Sequence, residues 1–200
     1  MPAAQPPKDP PEFRIGFISG TPTHNRDFAL AAEAISSIME KYPQVSLMVV
    51  GWLDLPESFS RFENRVVRRP YMDYLELLKF SGIMYAIIVP LEYTTAFCNA
   101  KSELKYFEQA LVGVPVIASP TVPYQACITD GVNGLLAADT RQWAVALERL
   151  IGDRSFRDRL ATNARNQIRE TYYPDKIGKT ANDIYRQIVK SGVPKTKEDK

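Results

Sequence analysis

Asn99-Ala100-Lys101-Ser102-Glu103-Leu104-Lys105-Tyr106-Phe107-Glu108-Gln109-Ala110-Leu111-Val112-Gly113-Val114-Pro115-Val116-Ile117-Ala118-Ser119 reads as loop, helix, glycine stop and buried strand. The spacing predicts a helix opening near Lys101 or Ser102 and ending at Gly113, then a strand from Val114 to Ser119. A helix start offers free N–H groups and roughly +0.5 charge of dipole, so it can hold an anion. Lys101 adds a full positive charge there. Glu108 lies seven residues on, about two turns and on the order of 10 Å along the same face. A carboxylate at that distance suits the hydroxyls of a ribose whose phosphates sit at the helix start, so one helix is expected to read two parts of a nucleotide. Lys101, Lys105 and Glu108 share one face, and Leu104, Phe107 and Leu111 another. The plainer alternative is an amphipathic helix whose Lys and Glu are solvated and paired three residues apart.

Outward from this stretch, strands and helices alternate. Strands are expected at Phe13–Ser19, Val45–Val50, Arg65–Arg68 (weaker), Met84–Val89 and a short Leu135-Leu136-Ala137 after the turn cluster Asp130-Gly131-Val132-Asn133-Gly134. Helical spacing runs through 26–41, from a capping-box-like Asp73 and Glu76 to about Phe80, and through three closing helices near 140–151, 154–170 and 176–190. Trp143 and Phe156 read as core. Alternation with near-continuous apolar strands predicts an α/β fold, a Rossmann-like parallel sheet with helices on both faces. Ligands of such sheets sit outside the carboxyl ends of the strands, at the topological switch point. Gly20–Arg26, Pro70–Tyr74 and Glu92–Ser102 all fall at such ends.

A net charge of +2 gives no global case for nucleic acid. Cys98 and Cys127 have no metal-ligand spacing and fit a reducing compartment, with a single bridge as the alternative. No apolar run reaches membrane-spanning length, and Met1-Pro2-Ala3-Ala4-Gln5 lacks the parts of a signal peptide. A cytoplasmic protein is expected. Residues 1–12 carry Pro2, Pro6, Pro7, Pro10 and Pro11 and read as a linker, 13–190 as the folded domain, and 191–200 as a charged, disordered tail. A linker leading directly into a domain implies that something precedes it, so the chain is expected to be a fragment of a longer protein.

The turn Ser19-Gly20-Thr21-Pro22-Thr23-His24-Asn25-Arg26-Asp27-Phe28 joins the first strand to its helix. Gly20 permits close backbone approach, and Arg26 can grip a phosphate in a bidentate manner. There is no GxGxxG or Walker A pattern, and an ordinary turn with Arg26 and Asp27 as surface charges is the alternative. His24 is the sole histidine. A lone histidine is more often a structural or surface donor than a catalyst. Tyr71 and Tyr74 can cover a nucleobase or simply pack.

The segment Ser19–Phe28, Pro90-Leu91-Glu92, Lys101–Glu108 and Gly113–Ser119 together resemble the C-terminal domain of retaining GT-B glycosyltransferases of the glycosyl transferases group 1 kind. The resemblance covers about residues 13–190 and is most specific over 99–119. It implies two Rossmann-like domains facing across a cleft, with this chain as the donor-binding half and an N-terminal domain holding the acceptor. The family's donor motif has two glutamates eight positions apart. Glu108 matches the second, which bonds the ribose, while the first, which contacts the donor sugar, falls at Ala100 and is missing. Lys101 and Ser102 fall where family backbone groups meet the diphosphate. The family's Arg and Lys after the first strand correspond to Thr21 and Arg26, so one charge is kept and one lost, and Lys101 is our candidate replacement.

The resemblance thus implies a nucleotide-sugar site of Gly20, Thr21, Arg26, Tyr71, Asn99, Lys101, Ser102 and Glu108. Arg26 and Lys101 are the candidate catalytic residues, stabilising the leaving diphosphate. The donor is a nucleoside diphosphate sugar, and no metal and no further cofactor is implied. The expected partners are that donor and the N-terminal acceptor domain, without nucleic acid or a membrane segment, and the chain alone is expected to be inactive. The alternatives are a non-catalytic Rossmann-like interaction module and another sugar-nucleotide enzyme, such as an epimerase, or a phosphorylase. The module predicts no nucleotide binding and no effect of Glu108→Ala beyond stability.

Overall fold

β1 (Phe13–Ser19) has a parallel neighbour on each side, and this decides the architecture. The computed structural model describes residues 12–191. β1 pairs with β2 (Val45–Gly51) along its whole length, Phe13 opposite Val45 and Ser19 opposite Gly51. On its other side it pairs with β4 (Ala86–Val89). β3 (Val66–Arg69) lies beyond β2, and β5 (Val116–Ala118) and β6 (Leu135–Leu136) lie beyond β4. The order is β3-β2-β1-β4-β5-β6, all parallel, which is the α/β, Rossmann-like arrangement expected. The run Val45-Ser46-Leu47-Met48-Val49-Val50 is buried at every position, as a strand covered on both faces must be.

α1 (His24–Lys41) and α6 (Thr140–Gly152) pack together and are tied by Lys41 Nζ to Glu148 Oε1 at 2.6 Å. A pair of 3-10 turns over Glu57–Arg65 adds Phe59 and Phe62 to the same core. Phe28 centres it, 5.0 Å from the Phe17 ring and 5.6 Å from Phe59. Trp143, and Phe156 and Leu160 of α7 (Arg154–Thr171), complete it, as the sequence predicts for Trp143 and Phe156. Arg65 directs one guanidinium nitrogen at the carbonyls of Met39, Tyr42, Pro43 and Val45, closing the carboxyl end of α1. α2 (Tyr74–Ser81) and α4 (Leu104–Val112) are neighbours, and right-handed crossovers place them on the opposite face. The Asp73 side chain accepts from the Leu75 and Glu76 amides, the cap its spacing predicts.

Three short elements escaped the sequence reading: the 3-10 turns, α3 (Ala96–Asn99) and α5 (Val122–Cys127). α3 is one turn, started by Thr95 Oγ1 accepting from the Cys98 amide at 3.2 Å. One turn is too short to print a period. α3 also takes up the chain before Lys101, so α4 opens at Leu104 and not at Lys101 or Ser102.

The described chain divides into two compact units, one through Arg165 and one from Asn166 onward. The second holds the end of α7 and α8 (Pro174–Ser191), whose side chains are nowhere buried. The expected linker over 1–12 and tail over 191–200 lie, apart from residues 12 and 191, outside the described residues. Among the described residues no helix is long and apolar enough to cross a membrane.

Gly51 closes β2 at φ +86°, where an added Cβ would stand 1.9 Å from the Ser19 carbonyl oxygen. Gly51→Ala is therefore expected to destabilise the protein by more than about 1 kcal/mol, through strain at positive φ and the clash with β1. Urea denaturation should show a lower midpoint at unchanged slope.

Candidate functional site

From the adjacent strands β1 and β4 the chain departs to opposite faces, and a crevice opens at their carboxyl ends. It forms a cavity of about 650 Å³ lined in part by Arg26, Asp27, Glu92, Phe97, Cys98 and Lys101. Both candidate catalytic residues, Arg26 and Lys101, thus come together from segments 75 positions apart in the chain. A second cavity of about 550 Å³ lies beside the 3-10 turns, lined by Leu55, Phe59, Glu63 and Arg68 among others, and contains none of the expected site residues.

Asp27 is the polar centre of the crevice. It is 4% exposed, not the surface charge of an ordinary turn. Its Oδ2 stands 2.9 Å from His24 Nδ1 and 3.5 Å from Lys101 Nζ, and its Oδ1 accepts from the Glu92 amide at 3.3 Å. Burial pushes the Asp27 carboxyl up, but the His24 hydrogen bond, the Lys101 charge and the Glu92 amide outweigh it and hold it below its usual value. His24 is accordingly a partner of Asp27. Lys101 also lies over the Phe97 ring, 5.0 Å from its centre. Arg26, exposed in the first turn of α1, makes no hydrogen bond or ion pair among the described residues.

The buried face of α4 mixes apolar and polar side chains, Tyr106 and Ala110 beside Glu108 and Gln109. Leu104 and Leu111 are 53% and 52% exposed, while Glu108 and Gln109 are buried. Lys105 reaches inward, its Nζ donating to the Ile18 carbonyl at 2.8 Å and standing 5.9 Å from the Phe17 ring. Burial lowers its proton affinity to a pKa of about 8, opposed by Asp27 and Glu108 and assisted by Lys101. Burial pushes the Glu108 carboxyl up, and Lys105 counteracts it. Glu108 makes no hydrogen bond or ion pair among the described residues, although it is 8% exposed. Lys101 precedes α4, so it does not share a helix face with Glu108 as expected. Lys105, one turn from Glu108, occupies that face.

The other expected residues are placed as follows. Gly20 is exposed, and an added Cβ would meet nothing within 4 Å. Thr21 is exposed, with its hydroxyl 2.7 Å from that of Thr23. Ser102 is exposed in the connection between α3 and α4. Tyr71 is 80% exposed. Its neighbour Tyr74 feels Glu108: burial first and then that carboxylate push its hydroxyl up. Asn99 holds the loop together, donating to the Tyr93 and Thr95 carbonyls and accepting from the Val122 amide at 2.8 Å. Asp27, Glu92 and Lys105 were absent from the expected set. The three-residue spacings His24 to Asp27 and Lys105 to Glu108 are the sequence signals that point to two of them.

Residues 12–153 match the family model described as glycosyl transferases group 1. The chain is 31% identical over 175 residues to a D-inositol 3-phosphate glycosyltransferase of Nocardioides sp., an alignment covering 78% of this chain and 37% of that protein. Anabaena HepE, solved in complex with UDP-glucose, superposes with a TM-score of 0.70 at 18% identity, over 88% of this chain and 49% of HepE. The C-terminal domain of the glycosyl transferase group 1 protein LpcC from Francisella tularensis gives 0.59 at 19% identity, over 82% of this chain and 88% of that domain. The chain thus spans well under two thirds of the length of the Nocardioides relative and of HepE.

Because its folded-state affinity for a proton is depressed, the Asp27 carboxylate contributes stability that is complete above the ordinary value of 3.8 and lost as pH falls below it. Asp27→Asn should lower stability at pH 7 by roughly 1–3 kcal/mol. It should also flatten the fall in stability below about pH 4. Urea midpoints of both proteins across that range check this.

Proposed function

The chain belongs to the glycosyl transferases group 1 family, and from that premise we propose that it binds the nucleoside diphosphate part of a sugar donor. The observation that carries this reading is a pair of charged groups left unsatisfied, Arg26 lining the crevice and Glu108 on the buried face of α4. Arg26 is a cation without a partner among the described residues at the mouth of the crevice, beside Lys101. Glu108 is a buried carboxylate without a partner among the described residues. The first can take a diphosphate in a bidentate grip, and the second can accept from the hydroxyls of a ribose. Of the first-turn amides of α4, Tyr106 and Phe107 donate to the Glu103 carbonyl, which leaves those of Leu104 and Lys105 as further donors. HepE, which shares this fold, was solved with UDP-glucose, and the same ligand class suits these groups.

In the transfer, the bond between the anomeric carbon and a phosphate oxygen breaks, and negative charge grows on the leaving diphosphate. Arg26 and Lys101 stabilise that charge where it develops. To do so Lys101 must turn from Asp27, and His24 and the Glu92 amide continue to hold the Asp27 carboxylate. The acceptor is held by a further, N-terminal domain of a longer protein. With Ala100 at the position of the family's sugar-contacting glutamate, the donor sugar is held by groups other than that carboxylate.

Calorimetric titration of the chain with UDP, GDP, ADP and dTDP tests this. One of the four should saturate the chain, and Arg26→Ala and Glu108→Ala should each weaken binding by roughly 1.5–3 kcal/mol, the value of a hydrogen bond to a charged group. Flat titrations with all four on folded protein would overturn the reading in favour of a non-catalytic module.

A further inference from the structure

A buried carboxylate needs partners, and one that lines a cleft can give up a partner to a ligand if the others suffice. Asp27 lines the crevice between β1 and β4 and is fixed in two ways. It sits in the first turn of α1, where its Oδ1 accepts from the Glu92 amide beyond β4 and its Oδ2 stands 2.9 Å from His24 Nδ1. Its third partner is different in kind. Lys101 Nζ comes only to 3.5 Å from the same Oδ2, and Lys101 belongs to neither α3 nor α4 but to the connection between them. The Lys101 side chain is 26% exposed, and its ammonium also lies 5.0 Å from the centre of the exposed Phe97 ring. Burial pushes the Asp27 carboxyl up, and of the groups that hold it down the His24 hydrogen bond comes before the Lys101 charge. The crevice thus pairs a fixed anion with a cation on a movable segment, and the anion retains its main support when the cation leaves.

We propose that Asp27 is the resident counter-anion of the diphosphate subsite: in the empty crevice it holds Lys101 where a phosphate would, and a diphosphate binds by drawing Lys101 away from it. The inference rests on the donor-site reading above and deepens it, by naming what sets the strength of that site. Lys101 leaves one anion for another, so its net contribution to binding is the difference between two attractions. Arg26, on the same wall, makes no ion pair among the described residues and contributes its attraction undiminished. A diphosphate carries more negative charge than the single Asp27 carboxylate, so the exchange runs toward the ligand. Afterwards Asp27 keeps His24 and the Glu92 amide, and the link between the start of α1 and the chain beyond β4 persists. Asp27 touches no ligand in this scheme. It is a positioning residue that acts through Lys101.

Calorimetric titrations of the full chain with UDP, GDP, ADP and dTDP test this. Asp27→Asn keeps the size of the side chain and an oxygen for the Glu92 amide, and removes the charge that holds Lys101. It should bind the preferred diphosphate about fivefold more tightly than the wild-type chain, the worth of a partly exposed ion pair, while being the less stable protein in urea. In a Lys101→Met background the same substitution should change binding by less than about twofold, because the two residues act as one unit. A further comparison needs no variant at Asp27. Lys101→Met should weaken diphosphate binding by only about threefold, where Arg26→Met weakens it by about tenfold or more. Unchanged or weaker binding by folded Asp27→Asn marks Asp27 as merely structural and overturns the inference, with the donor reading intact. A gain that persists in Lys101→Met is general relief of repulsion and overturns it too, as does a loss in Lys101→Met equal to that in Arg26→Met. A wild-type chain that binds none of the four diphosphates overturns the donor reading, and this inference with it.

Discussion

The site depends on two strands, β1 and β4, that lie side by side while the chain leaves them toward opposite faces of the sheet. Two diverging backbones cannot close over the strand ends, so a gap remains wherever such a sheet reverses direction. Here the gap is held by polar clips from both sides. Asp27, at the start of α1, accepts the Glu92 amide from beyond β4. Ser119, at the end of β5, accepts the Leu91 amide at 2.9 Å. Lys105 reaches back to the end of β1. The width of the crevice is thereby set by hydrogen bonds to backbone groups, and the groups lining it inherit that rigidity.

α4 shows what this arrangement costs. Its inward face carries a lysine and a glutamate beside the buried Tyr106 and Ala110, while its two leucines are half exposed. Burying two charges is unfavourable unless they face each other or another polar group. The fold tolerates them because its hydrophobic stabilisation comes from elsewhere, from the packing of α1, α6 and the 3-10 turns on the sheet. A helix that breaks the usual pattern beside a well-packed core is the kind of local inconsistency that marks a site of use.

The sequence was most informative where burial is two-sided. Val45-Ser46-Leu47-Met48-Val49-Val50 and the helix over 140–152 announce themselves, because a parallel strand is apolar throughout and a packed helix repeats. The carboxyl ends of β1 and β4 then located the crevice, which Arg26 and Lys101 help to line. The sequence could not say which face of α4 turns inward, since a period reports that two faces differ and not which one meets the core. Nor could it show how Asp27 is held, because two of its partners, Lys101 and the Glu92 amide, are more than sixty positions away. Asn99 illustrates the converse: a polar residue in the right loop, occupied with holding that loop to the start of α5.

The crevice is also evenly charged at rest. Arg26 and Lys101 stand against Asp27 and Glu92 along its wall. Opposite charges so interleaved cancel beyond roughly one Debye length, about 8–10 Å at ordinary ionic strength. A polyanion approaching from bulk water therefore meets almost no guiding field and arrives at the rate of an unsteered collision. Its discrimination begins only on contact, when partners are exchanged one for one within the cleft, and added salt slows its capture far less than it would at an all-cationic cleft.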